Sequence, residues 1–212
     1  MTKTSYTIDH SDVPIRLFKS DFLEFFTHIS PLVVLVIWAP VVGYFIYRSL
    51  VTLAAPAVYW MTPLGFLGGV FLWTLTEYLL HRFLFHFHPK NASAALERII
   101  FLFHGVHHAQ PQLKTRLVMP PVVSIPLALA LYGVFWLVFS ALGILAWLPA
   151  VFAGAIAGYI AYDMLHYATH HFPMRSGAMK FLKRYHMMHH FKSENERFGV
   201  SSPLWDYVFR TV

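Results

Sequence analysis

The chain contains no cysteine, which removes iron–sulfur clusters, thiolate haem, zinc–thiolate sites and disulfides together. Any metal must rest on nitrogen and oxygen ligands. Charge is scarce as well: Asp, Glu, Lys and Arg make up 12% of the 212 residues, against about a quarter in typical soluble domains. There is no Gly-rich dinucleotide loop, no haem attachment motif and no Ser-His-Asp or cysteine nucleophile arrangement, so neither a built-in electron carrier nor hydrolysis is indicated. No block of Lys and Arg interleaved with aromatics stands apart from the membrane flanks, which excludes nucleic acid as a partner. A secretory signal is missing too, because the first thirty residues mix Asp9, Asp12, Asp21 and Glu24 with Lys3, Arg16 and Lys19.

What is present is apolar. Hydrophobic residues are 57% and aromatic residues 17% of the chain, the composition of an integral membrane protein. Runs near 31–53, 64–80, 121–142 and 144–162 approach the ~20 residues needed to cross a ~30 Å hydrocarbon core. The sequence therefore predicts an all-α protein with four transmembrane helices in a single unit spanning 1–212. Short uncharged turns at Ala54–Pro63 and Gly143–Pro149 make each pair an antiparallel hairpin.

Lys and Arg fall in the segment 1–30, the 82–120 connection and the tail after Asp163, with only Arg48 near the other face. The positive-inside rule then puts both termini, the connection and the tail in the cytosol, of either an endoplasmic reticulum or a bacterial inner membrane. The net charge of +6 follows from this topology and from contact with anionic lipid. Proline-free stretches at Ala92–His108 and Ala178–Phe191, with starts near Asn91 or Ser93 and at Ser176, predict a helical cytosolic cap.

Histidine carries the chemistry. Of fourteen histidines, ten form four clusters: His81 with His86, His104 with His107 and His108, His166 with His170, and His186 with His189 and His190. Ten imidazoles exceed one tetrahedral ion and point to two metals at the membrane face. Each His-x-x-His-His triplet spans one helix face, and His166 and His170 sit one turn apart. His81 and His86 lie about 140° apart on an ideal helix, so both serve as ligands only if the helix is wound differently or ends between them. His10, His28, His88 and His171 read as hydrogen-bonded core residues or interfacial anchors. Two divalent ions among neutral imidazoles need offsetting charge, so buried carboxylates are informative. Glu77 precedes His81 by one turn, and Asp163 precedes His166; with Asp206 they are expected to orient ligands from behind, the plainer role for Glu77 being a salt bridge to Arg82 or a tail residue.

The run Glu77 to His86, the run His104 to His108 with Pro111 and Arg116 to Pro121, and Tyr162 to Tyr167 resemble the fatty acid hydroxylase superfamily. The cluster Tyr185 to His190, Phe198-Gly199-Val200 and Leu204 to Tyr207 extend the match. Within it the chain is most similar to fatty acid 2-hydroxylases acting on sphingolipid acyl chains. The resemblance implies ten histidines binding two metals, and insertion of a hydroxyl at C2 of a long acyl chain, free or in a ceramide, using dioxygen. It breaks at Leu113, where the family usually has an acidic residue, and at Arg197 and Arg210, where it usually has glycine.

An unactivated C–H bond is beyond acid–base groups, so iron is the expected working metal, with zinc favoured by affinity in overexpressed protein. No fused cytochrome b5 domain fits before the first helix; a separate cytochrome b5-like or ferredoxin-like donor is expected. The acyl tail is expected to slide between membrane helices with its head at the cytosolic face, near Lys114, Arg116, Lys183 and Arg184. The rival readings are a dimetal desaturase, a sterol or carotenoid oxidase, and a non-enzymatic metal transporter or sensor. A transporter would string weak ligands along a path through the membrane, whereas these gather at one face.

Overall fold

A chain in lipid has no water to satisfy its backbone and must close its own hydrogen bonds. The computed structural model describes residues 7–87 and 89–212, and among these it contains helices and no strand. Lys3 and His88 lie outside the described residues. In chain order the helices are α1 (Asp21–Phe25), α2 (Pro31–Thr52), α3 (Ala57–Leu80), α4 (Ala94–Ile100), α5 (Val106–Ala109), α6 (Pro121–Ala141), α7 (Leu148–His171), α8 (Gly177–Phe191) and α9 (Leu204–Phe209). The segments containing α2, α3, α6 and α7 give four spans long and apolar enough to cross a membrane, and the protein is an integral membrane protein.

Two boundaries differ from the sequence reading. The third helix starts at Ala57 and carries Pro63 inside it, because a membrane helix tolerates a proline that would punctuate a soluble one. The seventh continues past Tyr162 to His171, so Asp163, His166 and His170 all ride on one continuous helix.

The chain divides into two compact units. One consists of Pro31–Leu75 and Met119–Asp163 and holds most of the membrane helices. Its α7 is the interior member: 61% of its apolar window is buried, against 11–22% in the other three spans. Small residues explain why. A Cβ on Gly154 would stand 1.9 Å from the Phe66 carbonyl oxygen, and one on Gly69 would stand 2.0 Å from that of Val151, so α3 and α7 touch backbone to backbone. Gly158 likewise makes room for the Trp73 side chain. Trp73 then meets Tyr159 edge-on at 5.3 Å, and Trp38 from α2 meets the same tyrosine at 5.6 Å. Trp38, Trp73 and Phe135 are buried, whereas Phe71 and Trp136 are exposed.

The other unit comprises the N-terminal segment to Ser30, Thr76–Val118 and Met164–Val212. The N-terminal segment is strapped to the connection after α5. Gln110 donates to Asp9 and to the Val13 carbonyl and accepts the Ile15 amide, while Ile29 N–H donates to the Thr115 carbonyl at 2.7 Å. Arg116 is the clasp. Its guanidinium donates to Glu24, to the Ile15 carbonyl and to Thr27, and it meets His28 at 3.0 Å, with 3% of the side chain exposed. Arg116 was expected among the head-group cations; buried and fully engaged, it is a structural residue instead. His28 has the ordinary role expected of it, bonded to Thr115 at 2.7 Å as well.

Candidate metal centre

The predicted conflict between His81 and His86 is resolved by winding. Residues His81–Phe85 form a single π-helical turn capped by His86, a local form often found at functional sites. The extra residue swings His86 back beside His81, and their Nε2 atoms stand 3.2 Å apart. A second π turn, Phe101–Gly105, leads into α5 and the His104–His108 triplet. The expected continuous helix from Ala92 is thus α4, a π turn and α5, opened by Ser93, whose hydroxyl accepts the Leu96 amide at 3.3 Å.

All ten clustered histidines converge, and they do so in two groups of five. The first set is His81, His86, His104, His108 and His189; the second is His107, His166, His170, His186 and His190. Each triplet is therefore divided between the sets. His104 and His108 share a face one turn apart, while His107 lies about 100° round from His108 and turns to the other set. On α8 the division is reversed: His186 and His190 enter the second set and His189 the first. Rings of the two sets touch, with His108 and His190 centroids 4.3 Å apart.

Within each set the Nε2 atoms form an unbroken chain of close neighbours. In the first, the links 189–86, 86–81, 81–104 and 104–108 measure 3.1, 3.2, 3.1 and 3.0 Å. In the second, 166–107, 107–190, 190–186 and 186–170 measure 3.0, 3.0, 3.0 and 2.9 Å. Nitrogens about 2.1 Å from one ion at right angles stand about 3.0 Å apart, so the spacing is that of neighbouring ligands. Tautomer supports this. His81 Nδ1 lies 2.5 Å from the Phe198 carbonyl oxygen and His189 Nδ1 lies 2.6 Å from that of Glu196. A carbonyl only accepts, so these Nδ1 atoms carry the protons and the inward Nε2 atoms bear lone pairs. Burial holds the rings neutral: it pushes His107 down to about 3, and His104, His108, His186, His189 and His190 well below the usual imidazole range. Five neutral nitrogen donors in each set suit a divalent transition ion.

Two of the three carboxylates, Glu77 and Asp206, bond to backbone that leads to a clustered imidazole. Glu77 is 3% exposed and does not pair with Arg82, whose guanidinium donates to Tyr78. It accepts the amides of Val200 and Ser201 at 2.6 and 2.8 Å and the Ser201 hydroxyl. Asp206 accepts the amides of Phe198 and Gly199 at 2.9 and 2.8 Å and the Thr211 hydroxyl at 2.8 Å. Between them they hold the loop that carries the Phe198 carbonyl to His81. Asp163, 1% exposed, accepts the Met119 amide at 3.3 and 3.4 Å.

The resemblance marks Phe198-Gly199-Val200, but the part this loop plays behind His81 is visible only in the structure. Arg197 and Arg210 both adopt left-handed backbone, with φ of 62° and 56°, a region that glycine enters without the Cβ penalty. The glycine that the family resemblance would place at these positions is thus a matter of backbone shape. Among the expected head-group cations, Lys114 and Arg184 are exposed and Lys183 donates to the Phe172 carbonyl at 3.0 Å. His171 belongs to neither set and packs its ring 4.6 Å from that of Tyr167. Near His170 the surface opens into a cleft of about 210 Å³, lined also by His10, Pro111, Gln112, Met187 and Phe191.

Comparison with known proteins adds names to this geometry. Residues 66–211 match the family model described as fatty acid hydroxylase. The chain is 39% identical to the dihydroceramide fatty acyl 2-hydroxylase FAH1 of Arabidopsis thaliana, covering 93% of this chain and 79% of that protein. It is 40% identical to the fatty acid 2-hydroxylase of Homo sapiens, covering 94% of this chain but 57% of the human protein, so it spans little more than half of that relative. A solved structure described as full-length scs7p, with only the hydroxylase domain visible, superposes with a TM-score of 0.81 at 42% identity, covering 90% of this chain and 69% of that one.

Proposed function

This chain belongs to the fatty acid hydroxylase family, and from that premise we propose that it is a membrane fatty acid 2-hydroxylase. It inserts a hydroxyl at C2 of a long-chain acyl group, free or within a sphingolipid or ceramide. The observation that carries the reading is the pair of five-histidine sets, alongside relatives named for 2-hydroxylation of fatty acids and dihydroceramide acyl chains.

The balance of the reaction defines what the site must do. One C–H bond at C2 becomes C–OH, one oxygen atom of O2 enters the product and the other leaves as water, with two electrons and two protons taken up. Two redox-active ions, iron in the working enzyme, would supply the activation of dioxygen that no side chain here can provide. His81, His86, His104, His108 and His189 would hold one ion, and His107, His166, His170, His186 and His190 the other. The protein's part is to present uncharged nitrogen ligands, to fix their rings through the Phe198 and Glu196 carbonyls, and to exclude water by burying them. Glu77 and Asp206, which hold the Phe198 loop, bring negative charge behind His81.

An acyl chain lies in the hydrocarbon with its polar head at the interface. His81 follows the end of α3, and His166 and His170 end α7, so the carbon next to the head meets the site first. Lys114, Lys183 and Arg184 suit an anionic or amide head group. The chain contains no haem or dinucleotide motif, and a separate cytochrome b5-like or ferredoxin-like donor supplies the electrons. Purified protein in lipid vesicles should form 2-hydroxy acyl product only when such a donor is added. Turnover with NADPH alone would refute the separate donor, and an unsaturated product would refute hydroxylation.

The site and both termini face the cytosol, of an endoplasmic reticulum or a bacterial inner membrane, by the distribution of Lys and Arg. Because the chain has no cysteine, one can be introduced at the exposed Ala146 between α6 and α7. That Ala146→Cys variant should react with an impermeant maleimide from the non-cytosolic side, and labelling only after permeabilisation would reverse the orientation.

A further inference from the structure

The two histidine sets are supported unequally. In the first, His81 and His189 each direct the Nδ1 proton to a backbone carbonyl, Phe198 and Glu196. Both carbonyls belong to one loop. Glu77 fixes it at Val200 and Ser201, and Asp206 fixes it at Phe198 and Gly199. In the second set, the Nδ1 atoms of His186 and His190 are buried and have no hydrogen-bond partner. Exposure differs in the same direction. The cleft of about 210 Å³ reaches His170 of the second set, and no histidine of the first set lines it.

We propose that the two sets are a retained and an exchangeable metal site: His81, His86, His104, His108 and His189 keep their ion, whereas the second set releases its own first. The proposal rests on the dimetal reading above. Glu77 and Asp206 are the positioning residues that create the difference, acting through the Phe198–Ser201 loop. A carbonyl behind a ligating imidazole fixes its tautomer and ring plane and makes the inward nitrogen a stronger donor, and such partners are typically worth about 10–100-fold in metal affinity. His81 and His189 both have one; His186 and His190, ligating through Nε2, would keep an Nδ1 proton buried without an acceptor. With two supported ligands against two unsupported ones, the affinities of the sets should differ by about 100-fold or more.

The test follows metal content in purified, zinc-loaded, detergent-solubilised protein during timed exposure to EDTA, by mass spectrometry of the metal. The expected course is biphasic, with a plateau near one ion per chain. His186→Ala should leave only the slow phase and His104→Ala only the fast one. Glu77→Gln and Asp206→Asn should accelerate the slow phase by about 10–100-fold and leave the fast phase as it was. Should either fail to fold, Ser201→Ala removes one bond to Glu77 and should accelerate the same phase to a smaller degree. Release of both ions in a single phase would overturn the proposal. So would equal acceleration of both phases by the Glu77 and Asp206 variants, which is what general loosening of the fold would produce. Protein that takes up no metal would overturn the dimetal reading itself, a result distinct from either.

Discussion

Replacing His107 with alanine should lower formation of 2-hydroxy acyl chains by at least about 100-fold, the upper end of what loss of a mere outer partner costs, while the protein still inserts and purifies. His107 is 5% exposed and its Nε2 lies 3.0 Å from those of both His166 and His190, so its loss breaks the second set in the middle. His171→Ala supplies the contrast. It stands one residue beyond His170 but outside both sets, and turnover should stay within about twofold of the parent, since substitutions away from such features cost little. Product analysis of both variants, with metal content measured in parallel, checks the pair. Equal losses in the two would mean that density of histidine, and not membership of a set, governs activity.

Gly154→Leu should be the most damaging change in the membrane unit. The added carbon would stand 1.9 Å from the Phe66 carbonyl oxygen and 3.0 Å from the Gly69 Cα. The contact is backbone, which cannot rotate away, so α3 and α7 would have to separate, at a cost of about 3 kcal/mol or more. Loss of monodisperse protein on gel filtration in detergent, or a large drop in melting temperature, is the expected result. Gly68, on the facing helix α3, has nothing within 4 Å of an added Cβ. Gly68→Ala should be neutral or stabilise by up to about 1 kcal/mol through helix propensity. Similar behaviour of the two variants would show that α3 and α7 do not touch as described.

Much of this protein was legible in its sequence because lipid and metal both impose simple rules. A hydrocarbon core demands long apolar helices, and the four spans are legible in the sequence except at two ends: Pro63 reads as punctuation although α3 starts at Ala57, and α7 runs on past Tyr162 to His171. Histidine is costly to bury without purpose, and the ten clustered residues all converge. The partition of those ten into sets was beyond reach. Spacing shows that His104, His107 and His108 share a broad face and that His104 and His108 lie one turn apart, but which histidines of the other clusters join each pair depends on how the helices come together. The geometric puzzle at His81 and His86 was itself the available signal, since it required an irregular winding that the π turn at His81–Phe85 provides.

Arg116 misled for a related reason. A cation at a membrane flank ordinarily meets head groups, and only the tertiary structure reveals that Glu24, the Ile15 carbonyl, Thr27 and His28 engage it. The Phe198 loop was half legible. Glu77 and Asp206 were expected to orient ligands, and each does bond to backbone that leads to His81. The intermediary is a carbonyl, and carbonyls have no sequence signature.

The most direct measurement is mass spectrometry of lipids from a host that lacks 2-hydroxy acyl chains, expressing this chain with a compatible electron donor under ¹⁸O2. The account predicts 2-hydroxy acyl chains carrying one ¹⁸O at C2. Hydroxyl at another carbon, unsaturated or sterol products, or a 2-hydroxyl without the label would contradict it.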